Sequence, residues 1–161
     1  MVRLFKLRRT EEVSFFMASS TNTVISTVEG WYSKLPNLPK DARELLVKIT
    51  PWIALIFGVL GTIAGVAGLG ILTALGPFMA VAGAYNSASA GILSAVILLA
   101  SSVLLLMAFP GLRKLKAGGW NLLFWSEAVS VIGAVIAISL SGILFSLIGL
   151  YLVFQIKSHY K

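Results

Sequence analysis

The sequence predicts an all-α membrane protein in which amphipathic interfacial helices precede a bundle of four transmembrane helices. Hydrophobic residues make up 58% of the 161 residues and charged residues only 12%, about half the charged fraction of a typical soluble domain. A soluble fold of this length could not bury so much apolar surface. The charge is also unevenly distributed, because the first 48 residues hold eight of the thirteen basic residues and five of the six acidic ones.

The rest of the chain contains apolar stretches long enough to cross a bilayer, which takes about 20 residues. Two of them are "WIALIFGVLGTIAGVAGLGILTAL" and "GILSAVILLASSVLLLMAF". The run from Trp120 to Ile156 is too long for one crossing and long enough for two, with "SLSG" at 139–142 as the expected bend. One long tilted helix is the alternative for this run. The predicted spans are 52–75, 91–109, 120–138 and 140–156.

The expected connections differ sharply in charge. Residues 76–90, which contain "GPF" and "YNSAS", and the bend at 139–142 carry no charge. Pro110 and Gly111 are expected to end the second span, and the basic segment "LRKLKAGG" follows them. With four spans, the N-terminal region, this basic segment and the C-terminus lie on one side. The positive-inside rule makes that side cytoplasmic, which predicts a multi-pass protein of the inner membrane with both termini in the cytoplasm.

Residues 1–50 are predicted to form an amphipathic region on the membrane surface, before a transmembrane domain over 51–157 and a cytoplasmic tail over 158–161. In "LPNLPKDARELLVKITPW", Pro39 suits the first turn of a short helix, and the apolar residues fall on one face. Pro51 is then expected to begin the first span, with Thr50 as a possible cap.

The basic residues favour contact with anionic lipids, each contributing about 1 kcal/mol near a charged surface. An ordinary positively charged flank that binds nothing specific is the alternative interpretation. Nucleic acid is not an expected partner, because the charge adjoins the bilayer and no recognition fold is visible. The residues expected to contact anionic lipid are Arg3, Lys6, Arg8, Arg9, Arg113, Lys114 and Lys116.

Small residues recur at helical spacing within three of the spans. They allow helix backbones to approach closely, which matters because lipid offers no hydrophobic drive for helices to associate. Such stripes either close the bundle internally or bind a partner, and their number suggests a homo-oligomer or a subunit of a larger complex. The predicted helix-packing residues are Gly58, Gly61, Gly65 and Gly68 in the first span and Gly142, Ser146 and Gly149 in the fourth, with a similar series at Ser126, Ser130 and Ala134.

Glu127 is the one charged residue within the predicted spans. Inserting a charged residue at the centre of a span costs about 2.5 to 3.5 kcal/mol on insertion scales, so a functional role is the first hypothesis for such a residue. Trp120 and Trp125 are expected to form an interfacial aromatic belt. If Trp120 marks the interface, Glu127 lies about 10 Å below it, and if Trp125 also lies in the belt, Glu127 is only about 3 Å deeper than Trp125. A carboxylate that binds and releases a proton, together with Ser126 and Ser130, is one interpretation. The other is a carboxylate that fixes the third helix in register, either by extending toward the headgroups or by an ion pair with the basic loop or Lys48.

Enzymatic activity is not expected. The only histidine is His159 near the C-terminus, and cysteine is absent, which excludes a thiolate metal site, a His-based triad and bis-histidine haem within the bundle. No second acidic residue lies within the spans to form a carboxylate pair with Glu127. No cofactor and no metal ion are therefore expected.

The segments "LPNLPKDARELLVKITPWIALIFG" and "AFPGLRKLKAGGWNLLFWSE" give the chain a pattern-level resemblance to small four-helix bacterial membrane proteins. The resemblance covers about residues 35–156. It implies a bacterial inner-membrane location and transfers no functional residue. Small multidrug-resistance transporters also have four short helices and a membrane glutamate, but that glutamate lies in their first helix and Glu127 lies in the third.

Two functions are consistent with these patterns. The first is a non-enzymatic membrane protein that acts through helix packing, as a homo-oligomer or an accessory subunit. The second is a small proton-coupled transporter that uses Glu127. A channel is weaker than either, because the uncharged segment "GPFMAVAGAYNSAS" contains no charged ring and no filter motif.

Overall fold

The computed structural model describes residues 22–161, and these residues contain helices and no strand. Helix α1 covers residues 22–32. It is followed by α2 (Lys40–Val81), α3 (Tyr85–Arg113), α4 (Ala117–Ile136) and α5 (Leu140–Ile156), with a 3₁₀ turn at Lys157–His159. The last four helices are long and apolar enough to cross a membrane. The chain is therefore an all-α, multi-pass membrane protein, which confirms the fold class predicted from composition.

The chain divides into two compact units, Met1–Asn37 and Leu38–Lys161. In the described part of the first unit, the hydroxyl groups of Ser26 and Thr27 donate hydrogen bonds to Thr23 O within α1. The second unit contains α2 to α5. The amphipathic segment expected to precede the membrane domain belongs in part to this second unit, because residues 40–50 are the first turns of α2.

The prediction of a helix break at Pro51 is wrong, because α2 runs without interruption through Pro51 and Pro77. Thr50 does not cap a new helix, and its hydroxyl donates to Leu46 O at 2.6 Å. Proline is tolerated within membrane helices where neighbouring helices and Ser or Thr side chains compensate for the lost backbone bond. The 42 residues of α2 span about 63 Å, at 1.5 Å per residue. This exceeds the roughly 30 Å of hydrocarbon, so α2 extends well beyond it.

Each connection between the spanning helices is a three-residue turn with the same backbone hydrogen bonds. In the α2–α3 turn, Gly83 N–H donates to Ala80 O at 3.1 Å and Ala84 N–H donates to Met79 O at 2.8 Å. This is a Schellman motif, which satisfies the last carbonyl groups of a helix and places one residue in the left-handed region. Gly83 occupies this position with a φ of 76°, which costs glycine little because it has no Cβ to clash with the backbone.

The other two turns place larger residues in the same conformation. Leu115 has a φ of 52° and Ile138 a φ of 50°, at a cost of about 1–2 kcal/mol each for a residue that is not glycine. Lys116 N–H donates to Gly111 O at 2.9 Å, and Ser139 N–H donates to Ala134 O at 2.9 Å. Ser139 also caps α5, since its Oγ accepts a hydrogen bond from Gly142 N–H at 3.2 Å.

These compact turns correct three expectations about where the helices end. Only residues 82–84 separate α2 from α3, so most of the expected 76–90 connection is helical. Helix α3 continues through Pro110 and Gly111 to Arg113. The bend expected at 139–142 is a turn over 137–139, because Ile138 adopts the left-handed conformation at the end of α4. The α2–α3 turn has a glycine, Gly83, in the left-handed position, whereas the other two turns end their helices with Leu115 and Ile138 in that position.

Four glycines of α2, at 58, 61, 65 and 68, face α3. A Cβ added to Gly58 would lie 2.8 Å from Leu106 Cδ2, and one added to Gly65 would lie 3.1 Å from Leu99 Cδ1. A Cβ on Gly61 would collide with the hydroxyl of Ser102, and a Cβ on Gly68 would reach ordinary contact with Ala95. This stripe therefore brings α2 and α3 together within the chain and is not available to a partner.

Glycines also set the register of α3 against α4 and of α4 against α5. A Cβ on Gly111 would lie 2.6 Å from the Cα of Gly119, and a Cβ on Gly119 would collide with the backbone of Gly111 and Leu112. Further along the same pair of helices, a Cβ on Gly133 would lie 2.6 Å from Ile97 Cγ2. Gly142 in α5 faces Ala134 in α4. Ser146 is half-buried between Gly142 and Gly149 along α5.

The two ends of the bundle differ in charge. At one end, which we name the basic end, Leu38 N–H donates to Gln155 Oε1 at 3.2 Å. There Ala117 N–H also donates to Lys161 O, and Lys161 N–H donates to Leu115 O, each at 3.0 Å. The start of α2, the α3–α4 turn and the C-terminus therefore meet at this end. The other end, the uncharged end, holds the turns 82–84 and 137–139.

We predict that Gly119→Ala destabilises the bundle and that Gly118→Ala does not. The added methyl group at 119 meets the backbone of α3, which cannot move aside as a side chain can, while nothing lies within 4 Å of a Cβ on Gly118. Overpacking of this kind costs about 1–3 kcal/mol, whereas alanine is the better helix former at 118. Unfolding by SDS in mixed micelles measures the free energy of unfolding of each variant. Equal values for the two variants would contradict the backbone contact at Gly119.

Candidate functional site

The candidate site centres on Glu127, halfway along α4 with ten residues before it and nine after it. Because α4 covers about 30 Å at 1.5 Å per residue, which equals the hydrocarbon thickness, Glu127 lies near the middle of the membrane. Its carboxylate packs on α5. A Cβ built on Gly149 would lie 2.7 Å from Glu127 Oε2 and 3.0 Å from Glu127 Cδ. The carboxylate therefore occupies the space that a side chain at residue 149 would take.

The structure does not bring Glu127 to the basic loop. Helix α4 begins at Ala117, so the α3–α4 turn lies about 15 Å away along the helix axis. That distance separates the carboxylate from Arg113, Lys114 and Lys116, and within residues 22–161 the structure shows no ion pair involving Glu127. The side chain is thus held by packing against Gly149 and not by the salt bridge that would fix α4 in register.

Of the two serines expected to join Glu127, only Ser130 lies on the same helix face, three residues further on. The hydroxyl of Ser130 donates to Ser126 O at 3.0 Å. Ser126 is 2% exposed and its hydroxyl donates to Leu123 O at 2.7 Å. Both hydroxyl groups therefore donate their hydrogen bond to a backbone carbonyl of α4. The Ser130 oxygen can still accept a hydrogen bond from a further donor.

A cleft of about 250 Å³ adjoins Ser130 between α3, α4 and the start of α5. Its lining is mostly apolar, and its polar groups are hydroxyls. The hydroxyls of Ser94 and Ser101 donate to backbone carbonyl groups of α3, so the cleft offers mainly acceptors. The serines that line it are Ser94, Ser101, Ser130 and Ser139. The cleft thus lies on the side of Glu127 nearer the uncharged end.

Trp120, expected in an interfacial aromatic belt, is buried within the bundle and does not face lipid. It is 3% exposed, and its indole Nε1–H donates to Val153 O at 2.8 Å. It stacks on Phe124 at 5.8 Å and meets the edge of Phe154 at 5.7 Å, while Phe124 packs edge-on against Trp125 at 5.5 Å. A buried indole finds a hydrogen-bond partner in this way, and here it ties α4 to α5 between Glu127 and the basic end.

The basic end contains a second group of polar residues. Arg113 lies over Trp52 at 5.6 Å and over Phe109 at 5.7 Å, measured from its guanidinium carbon to the ring centroids. Lys114 and Lys116 are exposed in the α3–α4 turn. Burial raises the pKa of Tyr160 to about 12, so this phenol stays protonated at physiological pH. The predicted lipid contacts Arg3, Lys6, Arg8 and Arg9 lie outside the described residues.

Sequence reasoning missed three contacts that organise these sites. The mutual approach of Gly111 and Gly119 had a visible signal, because the two glycines lie on either side of a short basic turn. The contact of Glu127 with Gly149 and the stacking of Arg113 on Trp52 had none, since each depends on the register between helices distant in the sequence. Comparison with protein-family models, with curated proteins and with solved structures returns no match for this chain.

Proposed function

We propose that this protein acts without catalysis, through helix contacts in the bilayer, as a self-associating protein or as an accessory subunit of a membrane complex. We further propose that the basic end faces the cytoplasm. Every Lys and Arg of residues 38–161 lies at that end, and the positive-inside rule favours its retention in the cytoplasm.

The observation that supports helix contacts with another chain is the outer face of α2. Ala67, Gly70 and Ala74 follow one another at helical spacing, are exposed, and lie opposite the glycines that face α3. Nothing lies within 4 Å of a Cβ built on Gly70, in contrast to Gly58, where Leu106 fills the space. A face of small residues admits a second helix backbone at close range, which is how membrane helices associate.

We expect Gly70→Leu to weaken association by about tenfold, because a large side chain at a close helix contact forfeits roughly 1–2 kcal/mol. Ala64→Leu is the matched control, since Ala64 is also small and exposed on α2 but lies on a neighbouring face. Energy transfer between labelled copies in liposomes measures self-association, and co-purification from native membranes measures association with other subunits. A wild-type protein that stays monomeric and brings down no other membrane protein would refute the proposal.

Proton-coupled transport is the second candidate, and one observation favours it. The Glu127 carboxylate lies in mid-membrane without an ion pair in the described part of the chain, one helical turn from a serine that lines the cleft. A carboxylate so placed can bind a proton that enters from the uncharged end, and movement of α5 at Gly149 would change its access to either side.

If transport is the function, Glu127→Gln will reduce proton flux to the rate of protein-free liposomes, because an amide cannot bind and release a proton as a carboxylate does. Glu127→Asp should keep part of the flux, and Asp41→Asn, which alters a carboxylate in the first turn of α2, should keep all of it. A pH-sensitive dye inside proteoliposomes reports the rates. Equal flux in wild type and Glu127→Gln would eliminate this candidate.

A further inference from the structure

We propose that a groove at the basic end binds the headgroup of one anionic phospholipid, with two basic side chains on the phosphate and a carboxylate on headgroup hydroxyls. The groove has a volume of about 420 Å³ and lies between the first turns of α2, the end of α3 and the C-terminal segment. Residues that line it include Glu44, Lys48, Trp52, Leu112, Arg113 and His159.

Arg113 is held for this role by the two aromatic rings. The faces of Trp52 and Phe109 fix its guanidinium at 5.6 and 5.7 Å, and the two rings meet edge to face at 6.1 Å. A guanidinium held over aromatic rings keeps N–H groups that can donate to a further acceptor, and their fork matches the oxygens of a phosphate. Across residues 22–161 the structure shows no carboxylate paired with Arg113 or with Lys48.

The position of the groove corresponds to the headgroup layer of the bilayer. On α2 it straddles the change from the polar segment with Lys40, Asp41, Arg43, Glu44 and Lys48 to the apolar span. Trp52 is 54% exposed there, and tryptophan is enriched at this depth of a membrane. A lipid phosphate therefore reaches Lys48 and Arg113, while the apolar walls face the glycerol backbone.

The charges of the groove select the kind of headgroup. Lys48 and Arg113 attract the phosphate, and each basic residue near an anionic surface contributes attraction. Glu44, one turn before Lys48, is a carboxylate that only accepts hydrogen bonds. With Lys48 and Arg113 it leaves these three side chains with one net positive charge, which matches the single negative charge of phosphatidylglycerol but not zwitterionic phosphatidylethanolamine. The hydroxyls of the phosphatidylglycerol headgroup can donate to the carboxylate.

Native mass spectrometry of the delipidated protein in detergent tests the proposal by titration with dioleoyl phosphatidylglycerol, phosphatidylethanolamine, phosphatidylcholine or inorganic phosphate. We expect phosphatidylglycerol to bind about tenfold more tightly than the other two lipids, and Lys48→Gln with Arg113→Gln to remove about that factor. Lys40→Gln with Lys161→Gln makes the same change of charge at the same end and should alter binding less than twofold. Lys48→Gln alone, on the α2 surface, repeats the test without disturbing the aromatic stack.

Equal losses in the two double variants would overturn the site, because binding would then reflect the overall charge of this end. Binding of phosphatidylethanolamine as tight as that of phosphatidylglycerol would overturn the assigned role of Glu44. Displacement of the lipid by inorganic phosphate would assign the groove to a free anion instead. Thermal melting of each variant in the same detergent separates loss of the groove from loss of the fold.

Discussion

Close approach of helix backbones at glycines is the constraint on which the rest of this structure depends. Lipid is as apolar as leucine, so helices in a bilayer gain little from hydrophobic burial and associate where their surfaces fit closely. Gly61 of α2 packs against Ser102 of α3. Gly111 of α3 packs against Gly119 of α4, and Gly149 of α5 packs against Glu127 of α4. The Gly111–Gly119 contact is backbone on backbone and leaves no room for a Cβ, so it fixes how far α3 is displaced along α4. At Gly61 and Gly149 the facing atoms are the ends of side chains.

This register determines where the charges of the membrane domain lie. Gly111 and Gly119 bring the end of α3 to the start of α4, so the cations of the turn collect at one end with the start of α2 and the C-terminus. The same register places Glu127 in mid-membrane on a glycine of α5 and away from those cations. The proposed site for a lipid phosphate and the candidate proton-binding carboxylate are thus separated by about half the length of α4, and each can be tested without the other.

Composition and apolar length suffice to predict the class of fold and the number of crossings, because the free energy of inserting a segment sums over its residues. Helix ends are harder to predict. Pro51, Pro77 and Pro110 suggest breaks, yet all three lie within helices, where neighbouring helices compensate for the missing N–H. Leu115 and Ile138 adopt the left-handed conformation that sequence rules assign to glycine. The surroundings of Glu127 and Trp120 depend on residues 22 and 33 positions away, and a single sequence does not show such pairings.

Four crossings place the α3–α4 turn and the C-terminus on one face of the membrane and the turns 82–84 and 137–139 on the other. Because the chain contains no cysteine, single cysteines at Lys114, Lys161 and Ala82 can be labelled with a membrane-impermeant maleimide in sealed vesicles of known orientation. The structure predicts that Lys114→Cys and Lys161→Cys react from the same side and Ala82→Cys from the opposite side. Reaction of positions 114 and 161 from opposite sides would contradict the fold and everything inferred from it.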